Sequence, residues 1–461
     1  MPANARQATD DRSSLGRKNI GTLIWDFSVP AITGMLVNAL YNIVDSIFVG
    51  HGVGAVGLAA VTIAFPIMIA FMGFGMLVGV GATTLVSIRI GQQNIAEAEK
   101  ILGNAFVLGL TVAVSMSAVL LSFLDPVLAL LGAEETVLPY ARDFTSVILA
   151  GSVFMFTGFG LNNIIRAEGH PRIAMMTMIL SAFLNTLLNP LFIFVLGLGI
   201  KGSALATVIS QAVSAAWVIA HFRSRRSLLR LRGANMAPDR RLIAKIVVMG
   251  SSAFFMQIAA SFVAGLFNNI LIIHGGQTAV AAMGIINRVS LLVLMPIFGI
   301  SQGTQPVIGY NYGAKNFRRV REAVIKGSIA ATAVAVTGFV IVELFDAYII
   351  RMFSSEADLI ALGATGLKIF MAMLPVIGFQ VMGAGFFQAI GKPMHSLLLS
   401  MSRQLLILIP ALLILPRFIG LQGVWLAGPI ADFGAALVTA ALVVAQVRRL
   451  AAAEEEFSPR G

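Results

Sequence analysis

The sequence predicts an all-α polytopic membrane protein with twelve transmembrane helices in two pseudo-symmetric six-helix bundles. Three observations predict this class: the composition, the recurrence of long apolar segments, and an internal repeat. Of the 461 residues, 58% are hydrophobic and only 11% are charged, whereas about a quarter of the residues in soluble domains are charged. The apolar segments reach the roughly 20 residues that a transmembrane helix needs, and they lack the short alternating pattern of barrel strands.

Twelve apolar segments account for the predicted crossings. They lie at 22–48, 56–87, 101–124, 143–164, 173–195, 203–222, 244–272, 279–307, 324–348, 364–386, 396–416 and 424–446. A glycine-rich turn at 50–54 separates the first segment from the second, and another at 274–278 separates the seventh from the eighth. The chain has no cysteine, which excludes disulfides, thiolate metal sites and thiol catalysis.

The distribution of Lys and Arg predicts that both termini are cytoplasmic. An even number of crossings places the two termini on one side, and the loops on that side hold most of the basic residues. Because cytoplasmic loops of membrane proteins are enriched in Lys and Arg, we expect a multi-pass membrane protein whose two termini both lie in the cytoplasm. Its cytoplasmic tails are residues 1–19 and 448–461. We interpret the basic run at 223–245 as a topological anchor, and expect no nucleic-acid partner.

The second half of the chain repeats the first at an offset of about 222 residues. "IGQQNIAEAEK" at 90–100 aligns with "YGAKNFRRVRE" at 312–322, and "RAEGHP" at 166–171 aligns with "QAIGKP" at 388–393. Six crossings in each half give the repeats the same orientation, as in transporters whose halves are related by an axis along the membrane normal. The predicted divisions are an N-bundle at 20–222, a basic inter-bundle loop at 223–243 and a C-bundle at 244–447.

Five stretches carry a resemblance to a known family. They are "YNIVDSIFVG", "IIRAEGHPRIAM", "LNTLLNPLFIFVLGLGIKGSALATVISQ", "GISQGTQPVIGYNYGAKN" and "FFQAIGKP". Across about residues 20–446 the sequence resembles the multidrug and toxic compound extrusion (MATE) transporters, and within them the DinF-like and MepA-like bacterial branch. The resemblance to that branch implies the bacterial cytoplasmic (inner) membrane. The resemblance implies the MATE fold and the export of varied amphipathic, often cationic compounds by alternating access, driven by inward movement of H⁺ or Na⁺.

The resemblance also implies a cation or proton site in the first half of the chain. Its candidate residues are Asp45, Asn162, Asn185, Asn189 and Thr207. The family commonly has a second aspartate where this chain has Asn189. A single carboxylate can carry a proton but is a weaker ligand set for Na⁺, so we expect H⁺ coupling and keep Na⁺ at Asp45 as the alternative. We expect no cofactor other than the coupling ion and no fixed metal.

The other acidic residues near the membrane have simpler interpretations. Glu343 and Asp346 close the ninth segment, and Asp26 lies near the start of the first, where solvation at an interface explains them. Asp432 lies deeper, and we expect it to pair with Arg403 or with Arg288. Such a pair can stabilise packing or carry protons, and the sequence does not decide between these roles.

The predicted substrate cavity contains polar and apolar residues without acids. Its candidates are Tyr41, Asn42, Met256, Gln257, Asn268, Arg288 and Gln380. We expect small amphipathic drugs and membrane lipids as partners, and a monomer. The alternative function is a flippase for lipids or lipid-linked oligosaccharides, which calls for several cations in the cavity. No crossing contains a catalytic motif, so we do not expect an enzyme.

Overall fold

The computed structural model of the protein describes residues 15–457, which form helices and short connections without a β-strand. The first half contains α1 (Ile20–Gly52), α2 (Ala55–Gly91), α3 (Ile95–Ser122), α4 (Leu124–Leu130), α5 (Leu138–Ala150), α6 (Ser152–Met155), α7 (Leu161–Ala167), α8 (Pro171–Pro190) and α9 (Gly199–Arg223). The second half contains α10 (Arg240–Gly313), α11 (Phe317–Arg351), α12 (Ala357–Met371), α13 (Leu374–Ala389), α14 (Pro393–Met401), α15 (Ile409–Ile419) and α16 (Leu421–Phe457).

The described helices agree with the twelve predicted crossings. Nine helices are long and apolar enough to cross a membrane, and two bent pairs add two more: α5 with α6–α7, bent by 51°, and α12 with α13, bent by 46°. Helix α10 has 74 residues and breaks at Gly276, where φ is 63°. An unbroken helix of that length would extend about 110 Å, whereas the hydrocarbon core is about 30 Å thick. Helix α10 therefore contains two crossings, and the chain is a multi-pass membrane protein.

Three short π-helical turns interrupt the crossings of the described chain. They are Phe156–Gly160, Leu191–Val195 and Ser402–Leu408. The second turn follows Pro190 directly, and there Leu196 N–H donates to the Leu191 carbonyl five residues earlier, at 2.9 Å. This wider hydrogen-bond spacing defines a π-turn, which is often found at functional sites. In this chain it ends the helix that carries Asn185 and Asn189.

The internal repeat appears in the backbone conformation as well as in the sequence. Residues with positive φ recur 222 positions apart: Gly54 and Gly276, Gln93 and Lys315, and Gly169 and Gly391. The pair at 93 and 315 is informative because positive φ is uncommon for residues other than glycine. Each residue of that pair precedes an asparagine whose side chain caps the next helix, Asn94 for α3 and Asn316 for α11. The predicted repeat is confirmed.

The chain divides into two compact units whose limits differ from the predicted bundles in two helices. Thr33–Phe254 belongs to the first unit, whereas Asn19–Ile32 belongs to the second together with the chain from Phe255 onward. The predicted bundles were 20–222 and 244–447. Glycines explain the difference, because they let helix backbones approach closely. A Cβ atom at Gly303 would lie 2.7 Å from the backbone nitrogen of Ser28, and one at Gly250 would overlap the Leu77 carbonyl oxygen.

The loop between α9 and α10, residues 224–239, packs against the first unit. The Arg230 N–H donates to Glu99 at 3.0 Å, and the Asp239 N–H donates to Asn104 Oδ1 at 2.7 Å. Ser227 and Leu229 are buried. The loop was predicted as a basic segment between the bundles, and the structure shows in addition that it is hydrogen bonded to α3 at Arg230 and at Asp239. The residues of the predicted tails at 1–14 and 458–461 lie outside the described residues.

The buried Glu168 carboxylate, in the turn between α7 and α8, fastens the middle of this loop. Its Oε1 accepts from the Ser227 hydroxyl at 2.7 Å and from the Leu229 N–H at 2.8 Å. Burial alone would raise the pKa of Glu168, but its interactions with His170, His221 and Ser227 outweigh burial and hold that pKa below its ordinary value. The group is therefore an ionised carboxylate at neutral pH.

Candidate cation site

Asp45 lies on α1 and receives hydrogen bonds from two other helices. Its Oδ1 accepts from Asn189 Nδ2 on α8 and from Ser203 Oγ on α9, the latter at 3.0 Å. Asn189 and Ser203 are fully buried, and Asp45 itself is half-buried. A carboxylate in apolar surroundings is costly unless polar groups stabilise it. The two donors supply that stabilisation where three helices meet.

A second layer of polar side chains supports the first. Asn185 Nδ2 donates to Thr207 Oγ1 at 3.0 Å, and Asn189 Nδ2 also approaches Asn185 Oδ1, at 3.4 Å. Asn185 and Asn189 are one turn apart and share a face of α8. The Tyr41 side chain, one turn before Asp45 on α1, hydrogen bonds with Thr207. The network thus runs from Asp45 through two asparagines to Thr207 and back to α1.

One acceptor in this network is buried without a partner. Asn189 Oδ1 has no hydrogen-bond partner although Asn189 is completely buried, and buried polar groups in proteins are nearly always paired. The amide of Asn189 can rotate so that its oxygen, rather than its nitrogen, faces Asp45. It would then accept from a protonated carboxyl or share a bound cation with Asp45. The arrangement therefore suits both a charged and a neutralised state of the carboxyl.

The structure brings together four of the five predicted site residues. Asp45, Asn185, Asn189 and Thr207 form one network, whereas Asn162 donates to the Ala174 carbonyl oxygen at 3.1 Å and joins α7 to α8. Ser203 was not predicted, although it lies one turn before Thr207 on the same face of α9. The four-residue spacing places the two hydroxyls on one face of α9, but it does not identify Asp45 as the partner of Ser203.

The predicted cavity residues are divided between the two units. Tyr41 and Asn42 belong to the first, and Met256, Gln257, Asn268, Arg288 and Gln380 belong to the second. In the second unit Gln380 is buried and its Oε1 has no hydrogen-bond partner. Asn268 and Arg288 are exposed on α10. Their assignment to a substrate cavity stays a prediction.

Two of the remaining predicted acids, Asp432 and Asp346, form ion pairs in the second unit. Asp432 pairs with Arg403 at 2.5 Å, which confirms one of its two predicted partners. Arg403 lies in the π-helical turn Ser402–Leu408, and Asp432 is almost completely buried on α16. Asp346 pairs with Lys368 at 3.2 Å. Asp26 is half-buried on α1. The Asp45 network has no counterpart at the aligned position of the second half, where the residue is Asn268.

Comparisons with known proteins agree with this architecture. The family model MatE matches twice, over residues 30–191 and 253–413, once in each half of the repeat. The chain is 28% identical over 398 residues to the multidrug export protein MepA of Staphylococcus aureus strain MSSA476, covering 86% of this chain and 88% of that protein. It is 28% identical over 402 residues to MepA of Staphylococcus haemolyticus strain JCSC1435, covering 86% and 87%.

Solved structures give the same result. A MOP superfamily transporter from Pyrococcus furiosus is similar with a TM-score of 0.89 and 27% identity, covering 95% of this chain and 98% of that chain. A MATE crystal structure in the bent conformation is similar with a TM-score of 0.90, at 27% identity and the same coverage. The two family matches together span well over half of the chain. The chain therefore belongs to the MATE (MatE) family, whose members are transporters.

Proposed function

We propose that this protein is a cation-coupled multidrug exporter that moves amphipathic compounds out of the cell in exchange for H⁺. Family membership supports a transporter, and the names of the MepA relatives, multidrug export proteins, support drugs as substrates. These comparisons do not favour the lipid-flippase alternative. The observation that carries the coupling is the convergence of buried polar groups from α8 and α9 on the single carboxylate of Asp45.

The geometry suggests how one carboxyl can couple two fluxes. An ionised Asp45 is stabilised by donors from Asn189 and Ser203, so it draws α8 and α9 toward α1. Binding of a proton removes the charge and weakens both hydrogen bonds, because charge-assisted hydrogen bonds are about twice as strong as neutral ones. The contacts that hold α1, α8 and α9 together are then weaker. If drug binding favours one arrangement and the neutral carboxyl the other, the two fluxes are linked.

Protonation fits this site better than Na⁺ binding. A hard cation prefers several oxygen ligands with net negative charge, and the network holds one carboxylate. Its other oxygens belong to amides and hydroxyls: Asn185, Asn189, Ser203 and Thr207. A proton needs only Asp45 itself and one acceptor, which the unpartnered Asn189 Oδ1 can provide after rotation.

Efflux from proteoliposomes tests the proposal. The variant Asp45→Asn keeps the shape of the side chain without its charge, and it should insert and fold normally. We expect efflux of a fluorescent amphipathic cation under an imposed pH gradient to fall about tenfold or more. A separately imposed Na⁺ gradient should drive little efflux in the wild type.

Asp125→Asn is the matched control, because Asp125 is a partly exposed acid at the start of α4 that pairs with Arg142 at 3.3 Å. It should keep the wild-type rate. Wild-type efflux by Asp45→Asn under a pH gradient would show that Asp45 is structural and would refute the proposed coupling.

A further inference from the structure

Glu168, His170 and His221 form a compact cluster in the first unit, away from Asp45 in the sequence and in its contacts. The turn between α7 and α8 supplies Glu168 and His170, and the last turn of α9 supplies His221. Glu168 Oε2 lies 3.0 Å from His221 Nε2 and 3.6 Å from His170 Nδ1. One ligand atom from each residue falls within 4.8 Å of the others.

These separations match a transition-metal site. Zn²⁺ binds imidazole nitrogen and carboxylate oxygen at roughly 2.0–2.2 Å in a tetrahedron, so neighbouring ligand atoms stand about 3.4 Å apart. The two distances measured from Glu168 Oε2 lie on either side of that value. Two histidines and one carboxylate are also a known zinc ligand set, in which water takes the fourth position. The ligand atoms therefore need only small movements to enclose an ion.

The surroundings resemble the outer shell of a metal site. Oε1 of Glu168 is held by the Ser227 hydroxyl and the Leu229 N–H, which fixes the carboxylate while Oε2 faces the histidines. Such outer hydrogen bonds orient metal ligands and tune their affinity. The Glu168 and His221 side chains are almost completely buried, but the His170 side chain is 19% exposed. The exposed part of that ring is not Nδ1, which is buried and faces Glu168.

We propose that Glu168, His170 and His221 bind one divalent transition-metal ion, with Zn²⁺ as the best match to the ligand types and spacing. The ion would join the α7–α8 turn to the end of α9. Through Glu168 it would also hold residues 227–229 of the loop between α9 and α10. The site is distinct from the Asp45 network, so its role is to stabilise or regulate that loop rather than to carry the coupling ion.

Cobalt spectroscopy on the full-length protein in detergent tests this site. The protein is purified without a histidine tag, stripped with a chelator and titrated with Co²⁺. We expect intense visible d–d bands that saturate at one ion per chain and that disappear when Zn²⁺ is added. His170→Gln and His221→Gln should abolish the bands. Ser227→Ala should lower the affinity by about 10–100-fold, because it removes an outer hydrogen bond.

His274→Gln serves as the control, since it removes an imidazole on α10 outside the cluster, and it should bind Co²⁺ like the wild type. Trypsin gives an independent measurement, because the loop contains arginines at 225, 226, 230 and 232. Zn²⁺ should slow cleavage there in the wild type and in His274→Gln, and not in His170→Gln. Absence of the bands in the wild type, or equal binding by His170→Gln and the wild type, would overturn the proposal.

Discussion

Asp45 is held by groups that do not titrate near neutral pH. Its contacts come from an amide and a hydroxyl, both of which can exchange donor and acceptor roles by rotation. A lysine or arginine in the same place would form an ion pair with the carboxylate, as Arg403 does with Asp432 at 2.5 Å. The two acids therefore differ in the charge of their partners. Neutralising Asp45 would leave no charged partner unpaired, because its partners are an amide and a hydroxyl. Neutralising Asp432 would leave the Arg403 cation unpaired in a partly buried position.

Asn189→Asp tests why this chain is expected to use H⁺. The substitution adds a second carboxylate one turn from Asn185 and in contact with Asp45, which supplies the negative charge and oxygen ligands that Na⁺ prefers. We expect efflux driven by an imposed Na⁺ gradient to rise roughly tenfold, which corresponds to about 1.4 kcal/mol of added cation affinity. The measurement is efflux from proteoliposomes at fixed pH.

Asn162→Asp is a matched control for Asn189→Asp, because Asn162 is buried in the same unit but donates to the Ala174 carbonyl outside the Asp45 network. It should not confer Na⁺-driven efflux. If Asn189→Asp leaves the Na⁺ response at the wild-type level, the number of carboxylates does not determine the choice of ion at this site.

The resemblance to the family grouped four residues that the structure brings together at Asp45, and the residue that was missed has a clear physical cause. Helical spacing places Asn185 and Asn189 on one face, and the resemblance to the family paired them with Asp45 and Thr207. Ser203 was missed because hydroxyls in helices commonly bond to their own backbone. Its partner is set by the register between α1 and α9, which helical spacing within one segment does not determine.

At the scale of the helices, hydropathy did not predict which of them pack closely at glycine residues. The apolar pattern located every crossing, yet it placed the start of α10 with the second half of the chain. In the structure that segment packs against α2, where Gly250 contacts the Leu77 carbonyl and Gly81 contacts the Ile246 carbonyl. A glycine in an apolar segment indicates such a contact only when the facing helix is known. Hydropathy therefore locates helices without identifying their neighbours.

Gly250→Ala should destabilise the first unit. A Cβ atom at this position would overlap the backbone of α2, and overpacking typically costs about 1–3 kcal/mol. Gly265→Ala on the same helix is the control, because nothing lies within 4 Å of its Cβ position. That change should be neutral or stabilising by about 0.5–1 kcal/mol, since alanine favours helix more than glycine does.

The two glycine variants are compared with the wild type by apparent Tm in detergent and by yield of folded protein. Gly250→Ala should fall below the wild type and Gly265→Ala should not. Equal Tm values for the two variants would mean that α10 does not pack tightly against α2 at this point.

At the scale of the whole chain, duplication explains why the fold was predictable. The halves share positive-φ positions, asparagine caps and bends at α5–α6 and α12–α13, all offset by about 222 residues. Backbone features of this kind depend on glycine, asparagine and local turn chemistry, which short sequence motifs preserve. The chemistry of the halves has diverged, because Asp45 is matched by Asn268 and the buried Asp432 has no acidic counterpart at Gln211. The repeat therefore predicts the architecture but not which half carries the coupling residue.

The distribution of charges predicts the orientation of the chain, and this orientation can be measured directly. The run at 223–245 holds eight Lys and Arg residues, whereas the loops predicted on the opposite side hold four in total, and basic loops are retained in the cytoplasm.

The chain has no cysteine, so a single introduced thiol reports its own side without background. Glu135 and Ala234 are exposed, in the α4–α5 connection and in the loop between α9 and α10. In intact cells Glu135→Cys should react with a membrane-impermeant maleimide, and Ala234→Cys should react only after the membrane is permeabilised. The reverse pattern would show that the termini face outward, and equal labelling of both thiols in intact cells would contradict their placement on opposite sides of the membrane.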